Sequence, residues 1–403
     1  MADTRKASRF IVPAAVAGVA AATIGLVPAL AASGDPDLPE ITAQQLIEKI
    51  AASDTQTLSG TFRISTDLGL PLDGLASGLA GIAGDDSSSA SASPSTDPTA
   101  KLTELVSGTH TLRVAADGPE RQKLTFVDGK DEYSLIHNGD DVWAYDSKTN
   151  EAVHEKGAAE GAAKGSAEAE KELPATPKAL ADEVLKAAGD TTSITVGGTA
   201  KVAGRDAYQL LIKPKQSGST VESIKIAVDS ATGTPLKFTL ASVQGGKPVV
   251  DAGFTKVDFG KPAASAFEAP KGAKVTEGFG EAEKGEGPGA GPDFGKDFGK
   301  QFGLDLGEDF AGPDGKGGLN VIGEGWTTIA KIDTGAPAPT RTEEAPKEIQ
   351  GLLDSFGDKV TGKFGSGTVF TTKIVNALVT DDGTVYVGAV TKDALVDAAN
   401  AAK

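Results

Sequence analysis

Apolar and polar residues alternate in the second half of the chain. The runs 208–213, 224–229 and 236–240 place an apolar residue at every second position. Because successive side chains of a β-strand point to opposite faces of a sheet, this period of two predicts strands with one apolar and one polar side. The turn-forming sequences DSATG at 229–233 and QGGK at 244–247 separate the runs. The pattern therefore predicts an antiparallel meander.

The first half of the chain has the same pattern. Alternating runs occur at 61–64, 111–114, 123–126 and 133–135, and a further strand is predicted at 142–145. The sequences DGP, DG and NGD lie between successive runs from 111–114 to 142–145, and they are typical of tight hairpin turns. These signals predict about ten strands between residues 57 and 258.

Two amphipathic helices are predicted beside the strands. The segment 38–53 has Pro39 and Glu40 in its first turn, which is typical of a helix start. Its apolar stripe consists of Ile41, Leu46, Ile47 and Ile50. The segment 177–188 carries a similar stripe, formed by Leu180, Val184 and Leu185. We expect both helices to cover one open end or face of a curved sheet.

The order helix, half-sheet, helix, half-sheet resembles the lipoprotein-carrier (LolA-like) family. The resemblance spans residues 38–277 and rests on this order, on GRDAYQL at 204–210 followed by VDSATGTPLKF at 228–238, and on the closing F…P…A/G-K-V at 267–275. It implies a mainly β (α+β) fold, an incomplete antiparallel β-barrel with a helical lid, that holds acyl chains and does not catalyse. Related folds include sensors of mislocalised lipoproteins and actinobacterial carriers of acylated glycolipids. The abundance of Ala, Gly, Ser and Thr agrees with a high-GC, actinobacterial source.

The alternation places a set of apolar residues on one interior face, and the resemblance implies that this face receives acyl chains. If the two helices fill the interior, these residues form only a core. If the helices stand off, they roof an apolar pocket. The candidate ligand-binding residues are Phe62, Ile64, Leu112, Val114, Leu124, Phe126, Leu210, Ile212, Ile224, Ile226, Leu236 and Phe238. The basic residues expected on the opposite face are Arg63, Arg113, Lys123, Lys225 and Lys237.

The N-terminus predicts export. Arg5, Lys6 and Arg9 precede an uncharged run at 10–32 that ends in small residues, so residues 1–31 are predicted to be a cleaved signal peptide. The run is also about long enough to span a bilayer, which leaves an uncleaved anchor as the alternative. The chain has no cysteine, and this excludes a lipidated Cys, a disulfide framework and a thiolate metal site.

Low-complexity segments divide the chain. Residues 71–100 and 156–176 are expected to be exposed, poorly ordered insertions. Residues 278–318 form a Gly/Phe-rich segment with a four-residue repeat. We interpret this segment as a flexible linker, and the alternative is that its phenylalanines dock on a partner or on the barrel mouth.

Helices and strands are predicted again after this linker, over residues 320–403. A strand is expected at 325–332, a helix at 346–356, a hairpin formed by 373–380 and 384–390, and a last helix at 392–402 that is capped by Thr391. The sequence therefore predicts a small C-terminal β-α-β-β-α unit. It leaves open whether this unit folds alone or docks on the main sheet.

Few residues are candidates for catalysis, cofactor binding or metal binding. The three histidines lie in separate strands without ligand-spaced partners, and no nucleophile elbow, phosphate loop or dinucleotide fingerprint is present. His137 is in phase with Tyr133 and Leu135, so it could face the interior, although a satisfied half-buried histidine is the more common case. Trp143 and Tyr145 suit ligand stacking or ordinary core. The sequence predicts no catalytic residue, no cofactor and no metal site.

These observations favour a monomeric, non-enzymatic extracytoplasmic carrier or chaperone for the acyl chains of a lipid or an acylated lipoprotein. The net charge of −17 disfavours nucleic acid as a partner. The alternative is an envelope-stress sensor or regulatory interaction module with the same fold, which would bind a membrane protein. An enzyme is a third hypothesis, and the sequence offers it the least support.

Overall fold

The computed structural model describes residues 35–69, 101, 104–105, 107–156, 177–269, 271–278, 319–333 and 357–402. Several predicted segments lie outside the described residues, apart from their boundary residues 156 and 278. They are the signal peptide 1–31, the insertions 71–100 and 156–176, the linker 278–318 and the helix 346–356.

Twelve strands form one large sheet. In chain order they are β1 (Thr57–Thr66), β2 (Gly108–Asp117), β3 (Arg121–Asp128), β4 (Asp131–Asn138), β5 (Asp141–Asp146), β6 (Glu151–Lys156), β7 (Thr192–Val202), β8 (Arg205–Pro214), β9 (Val221–Asp229), β10 (Pro235–Ser242), β11 (Val250–Asp258) and β12 (Lys274–Glu277). Their spatial order is β12-β6-β5-β4-β3-β2-β1-β11-β10-β9-β8-β7, so the sheet is open, with β12 and β7 at its edges. The predicted mainly β fold is confirmed, and the sheet is not closed into a barrel; eleven of its strands lie between residues 57 and 258.

The two halves of the sheet join at β1 and β11. These strands are distant in sequence, but they pair in antiparallel register, with Phe62 opposite Phe254 and Ile64 opposite Ala252. The chain then runs from β11 through a short 3-10 turn, Ala264–Phe267, that contacts β3 and β4. It ends at the far edge, where β12 pairs with β6 in parallel.

Helix α1 (Ala43–Ala51) begins later than the sequence predicted. Thr42 is its N-cap and forms a capping box with Gln45, so the expected first turn at Pro39 and Glu40 is wrong. The reason is that the reciprocal Thr42–Gln45 bonds satisfy two backbone donors, which makes Thr42 a stronger start than a proline. Helix α2 (Pro177–Ala188) has the predicted bounds. The helices contact each other, and Gln44 Nε2 donates to Asp182 Oδ1 at 2.9 Å.

A second, six-stranded sheet follows. Its elements are β13 (Leu319–Ile322), β14 (Ile329–Asp333), β15 (Gly357–Gly362), β16 (Gly365–Phe370), β17 (Asn376–Thr380), β18 (Thr384–Gly388) and helix α3 (Lys392–Ala401), with the strand order β13-β14-β18-β17-β16-β15. The predicted β-α-β-β-α unit therefore contained too few strands. Strands β13, β15 and β16 were not predicted because β13 has only four residues and β15 and β16 contain two glycines each and lack a clear alternation. The hairpin β17–β18 and the Thr391 cap are as predicted, although both strands are shorter than expected. The strand predicted at 325–332 is wrong over its first residues, because Gly325–Thr327 form a 3-10 turn and β14 begins at Ile329.

The small sheet lies against the large one. Trp326 Nε1 donates to Thr192 Oγ1 at 2.7 Å, and the backbone N–H of Thr391 donates to the Gly218 carbonyl at 2.7 Å. At the end of β1, Lys373 Nζ donates to Asp67 Oδ2 at 2.5 Å. These contacts reach β7, the β8–β9 loop and the segment after β1, so the C-terminal unit docks on the large sheet.

Candidate ligand-binding face

Cross-strand register brings the candidate residues onto one face of the large sheet. In the first half, Phe62 lies opposite Leu112, Leu112 opposite Phe126, and Val114 opposite Leu124. In the second half, Leu210 lies opposite Ile226, Ile226 opposite Phe238, and Ile212 opposite Ile224. Each set forms rows across neighbouring strands, as residues on one face of a sheet do.

The face continues across the junction between the two halves. Ala252 of β11 lies opposite Ile64 on one side and opposite Phe238 on the other. Leu236 lies at an irregularity in the β9–β10 register, and it is buried in the same cluster as Phe62 and Phe254. All twelve candidates therefore belong to one apolar layer, which forms two separate clusters.

The first is the helix-covered cluster, over β8 and β9. Its helix residues are Leu46 and Ile47 of α1 and Ala181 of α2, which pack with Leu210, Ile212, Ile224, Ile226 and Val228. Phe238, Trp326 and Ile374 pack against its margin, so the small sheet helps to close this half. Leu210 is 2% and Ile226 4% exposed. Here the helices fill the space over the sheet, and these candidates form a core.

The second is the aromatic cluster, whose rings lie on β1, β3, β4 and β11 and which extends to Leu236 of β10 and to small residues of β5 and β7 to β9. Phe62 and Phe254 have ring centroids 6.1 Å apart, and Phe126 meets Tyr133 edge-on at 6.0 Å. The half-buried residues Ile64, Val114, Leu124 and Leu135 pack against these rings. Within the described part of the chain, the cluster contains no residue of α1 or α2. These four half-buried residues form the aliphatic margin of the cluster.

The five basic candidates lie on the opposite face. Arg63 and Lys237, for example, both pair with Gly253 of β11. Each is the sequence neighbour of an apolar candidate, Phe62 or Phe238, and therefore points to the other face. Lys237 Nζ contacts Asp251 Oδ1 at 2.8 Å, and Arg113 contacts Glu132. These partly or largely exposed ion pairs keep the polar face solvated and contribute little to stability.

A buried carboxylate fixes the turn beneath helix α1. Asp229 is 1% exposed and accepts two hydrogen bonds from Arg205, at 2.7 and 2.8 Å. It also accepts bonds from the backbone N–H groups of Ala231 and Thr232 and from the Thr232 hydroxyl. The sequence analysis treated Asp229 only as a turn residue. The separation of Arg205 from Asp229 along the chain hid the pair.

The same network sets the charge of Asp229. Burial raises the pKa of this carboxyl, but the hydrogen bonds from Arg205 and Thr232 and the charge of Arg205 together outweigh burial, so its pKa lies below the usual value. The turn that it organises contains Gly233, whose φ is +77° and whose missing Cβ would lie 2.3 Å from the Lys49 carbonyl oxygen. The turn therefore positions the C-terminal end of α1 against the sheet.

The three histidines have different surroundings. His110 Nε2 lies 2.6 Å from the Ser107 carbonyl oxygen. His154 lies between Asp141 and Glu277 and stacks on Trp143, with centroids 4.0 Å apart, so this tryptophan's ring already has a partner. The Nε2 atom of His137 is buried and has no hydrogen-bond partner in the part of the chain that the structure describes. The residues that the structure describes contain no group of three or more side chains able to hold a metal ion.

No helix within the described ranges is long and apolar enough to cross a membrane. No protein-family model and no curated protein matches the sequence.

Solved structures show similarity at the level of fold. The chain is similar to the MucA/MucB complex of Pseudomonas aeruginosa, at 14% identity and a TM-score of 0.36, over 89% of this chain and 96% of that chain. It is similar to a LolA superfamily protein from Nitrosomonas europaea, at 10% identity and a TM-score of 0.20, over 57% and 99%. It is also similar to an uncharacterized conserved protein from Thermus thermophilus, at 12% identity and a TM-score of 0.30, over 58% of this chain and 98% of that chain. The similarity concerns the fold alone.

Proposed function

We propose that this protein is a non-enzymatic extracytoplasmic carrier or chaperone that holds the acyl chains of a lipid or an acylated lipoprotein. One observation carries the proposal. Among the residues that the structure describes, helices α1 and α2 cover only one of the two clusters of the apolar layer, and the half-buried residues Val114 and Leu124 lie beside the other, aromatic cluster. Concave apolar surfaces flanked by polar groups are where proteins bind lipophilic ligands.

The ligand site is the aliphatic margin of the aromatic cluster. Acyl chains gain about 0.8 kcal/mol for each methylene that leaves water, so even a short contact with these residues is favourable. The helix-covered cluster supplies rigidity, because its helices and strands are already packed together. Of the twelve candidates, this assignment keeps Ile64, Val114 and Leu124 as ligand contacts, and the buried residues Phe62, Leu112 and Phe126 lie behind them.

Three single substitutions test the division of the face. Val114→Asp puts a carboxylate on the aliphatic margin. Ile226→Asp puts one in the helix-covered cluster. Ala115→Asp is the matched control, because Ala115 neighbours Val114 in β2 but lies on the opposite face, where it pairs with Lys123. Native mass spectrometry of each secreted protein reports bound lipid, and circular dichroism reports folding.

We expect Ile226→Asp to unfold the protein, since an unpaired buried carboxylate costs several kcal/mol. Val114→Asp should stay folded and lose bound lipid, and Ala115→Asp should stay folded and keep it. If Val114→Asp unfolds as Ile226→Asp does, the aromatic cluster is also a closed core. If the parent protein never carries lipid, the carrier function is wrong, and the sensor or regulatory interaction module becomes the better hypothesis.

Export is part of the proposal. The basic residues and the small-residue sequence that ends at Ala31 support cleavage of residues 1–31. N-terminal sequencing of the extracytoplasmic form should give a start at or near Ala32. A start at Met1 or Ala2 in the membrane fraction would instead support an uncleaved anchor.

A further inference from the structure

His137 lies at the end of the apolar rows of the aromatic cluster. Leu124 pairs with Leu135, and in the next row Gln122 pairs with His137 and His137 with Val142. Because residues two apart in a strand share a face, His137 lies on the same face as Leu135. The half-buried aliphatic margin is therefore followed directly by an imidazole and an amide.

The Nε2 atom of His137 is buried and has no hydrogen-bond partner among the residues that the structure describes. Buried polar atoms in native proteins almost always have a partner, and an unpaired one lowers stability. The ring nitrogens of His110 and His154 both show contacts with protein oxygens, so His137 differs from the other two histidines. His137 as a whole is only half-buried, so a ligand can supply the missing bond once the imidazole rotates or its neighbours move aside.

The charges on this face limit the ligand. The register places Asp146, Glu151 and Glu155 on the same face as His137. The strands β1 to β6 carry no Lys or Arg on that face, because Arg63, Arg113, Arg121, Lys123 and Lys156 alternate onto the other one. Lys274 of β12 pairs with Glu151 and adds one cation to this face, so a phosphate or carboxylate headgroup would meet three acidic residues and a single lysine. A neutral headgroup with hydroxyl or ester oxygens would not be repelled.

We propose that His137 is the polar anchor of the lipid site and that it hydrogen-bonds the neutral, oxygen-bearing headgroup of an acylglycerol whose chain lies along Val114, Leu124 and Leu135. This inference rests on the proposed carrier function and adds the class of lipid. His137 acts as a specificity-determining residue, because it interacts with the headgroup, whereas Val114, Leu124 and Leu135 interact with the acyl chain.

The test is a calorimetric titration of the full-length delipidated protein. Monoacylglycerol and lysophosphatidylglycerol with the same acyl chain are added below their micellar concentrations. We expect the parent protein to bind monoacylglycerol about tenfold or more tightly than the anionic lipid, since like charges repel at the acidic face. His137→Leu should weaken monoacylglycerol binding about three- to tenfold, the value of one neutral hydrogen bond. Its melting temperature should be unchanged or raised, because an unpaired buried atom is removed.

Two further variants distinguish a failure of the His137 anchor from a failure of the carrier function. His137→Gln keeps a side chain that can donate and accept, so it should retain more affinity than His137→Leu, and it replaces that variant if His137→Leu does not fold. Unchanged monoacylglycerol binding in both, while Val114→Asp abolishes it, would overturn the anchor but keep the carrier. Tighter binding of lysophosphatidylglycerol would overturn the neutral headgroup. No binding of either lipid by the parent protein would refute the carrier function itself, and this inference with it.

Discussion

Replacement of Asp229 tests the largest polar contribution to the covered half of the sheet. Asp229→Ala removes a carboxylate that accepts five hydrogen bonds, two of them from Arg205. Breaking a buried pair by removing one partner costs about 3–5 kcal/mol, because the other charge stays behind unpaired. The Arg205 side chain is 34% exposed, so water replaces part of the lost contact. We expect a loss of about 2–4 kcal/mol, a large share of the roughly 5–15 kcal/mol that holds a domain together.

The assay is guanidinium denaturation followed by circular dichroism. The midpoint should fall at an unchanged slope, and the melting temperature should drop by roughly 4–16 °C, at 2–4 °C per kcal/mol for a unit of about 200 residues. The matched control is Asp358→Ala, which breaks an ion pair with Lys392 whose aspartate is 68% exposed. That variant should lose less than about 1 kcal/mol. Equal losses in the two variants would refute the assignment of Asp229 as the fixed point of the turn.

Two further predictions concern acid and the turn. Asp229 and Asp67 have pKa values below normal, the first as described above and the second chiefly because of the hydrogen bond from Lys373. Their stabilisation is therefore complete above an unfolded pKa of about 3.9 and is lost as the pH falls through the depressed folded values. Melting temperatures from pH 7 to pH 2 should decline below pH 4 in the parent and less steeply in Asp229→Ala; parallel curves would contradict this. Gly233→Ala should destabilise by more than the roughly 1–2 kcal/mol of a left-handed backbone alone, because its Cβ meets the Lys49 carbonyl. Gly245→Ala, with φ at +72° and open space around it, should show only the backbone cost, and equal losses in thermal unfolding would show that the close approach to α1 is unimportant.

The sequence determined the local features of the fold. Alternation and turn residues identified the strands of the large sheet, the hairpin β17–β18 and the polarity of each face, because a period of two depends only on neighbouring residues. The bounds of α2 and the cap at Thr391 follow from equally local rules. Where the local signal is weak, as in the Gly-rich strands β15 and β16, the prediction failed.

Tertiary structure alone decided which parts of the face are core. Nothing in the sequence near Ile226 or Val114 distinguishes them, since both are aliphatic residues in alternating strands. The Asp229 turn holds the end of α1 near Ile226, and Trp326 and Ile374 of the C-terminal unit pack against the same cluster; these contacts join residues that are far apart along the chain. The pairing of β1 with β11, the parallel addition of β12 and the unpartnered Nε2 of His137 depend on the same long-range packing. A residue's type sets which face of a strand it prefers, but only the arrangement of all the elements determines what covers that face.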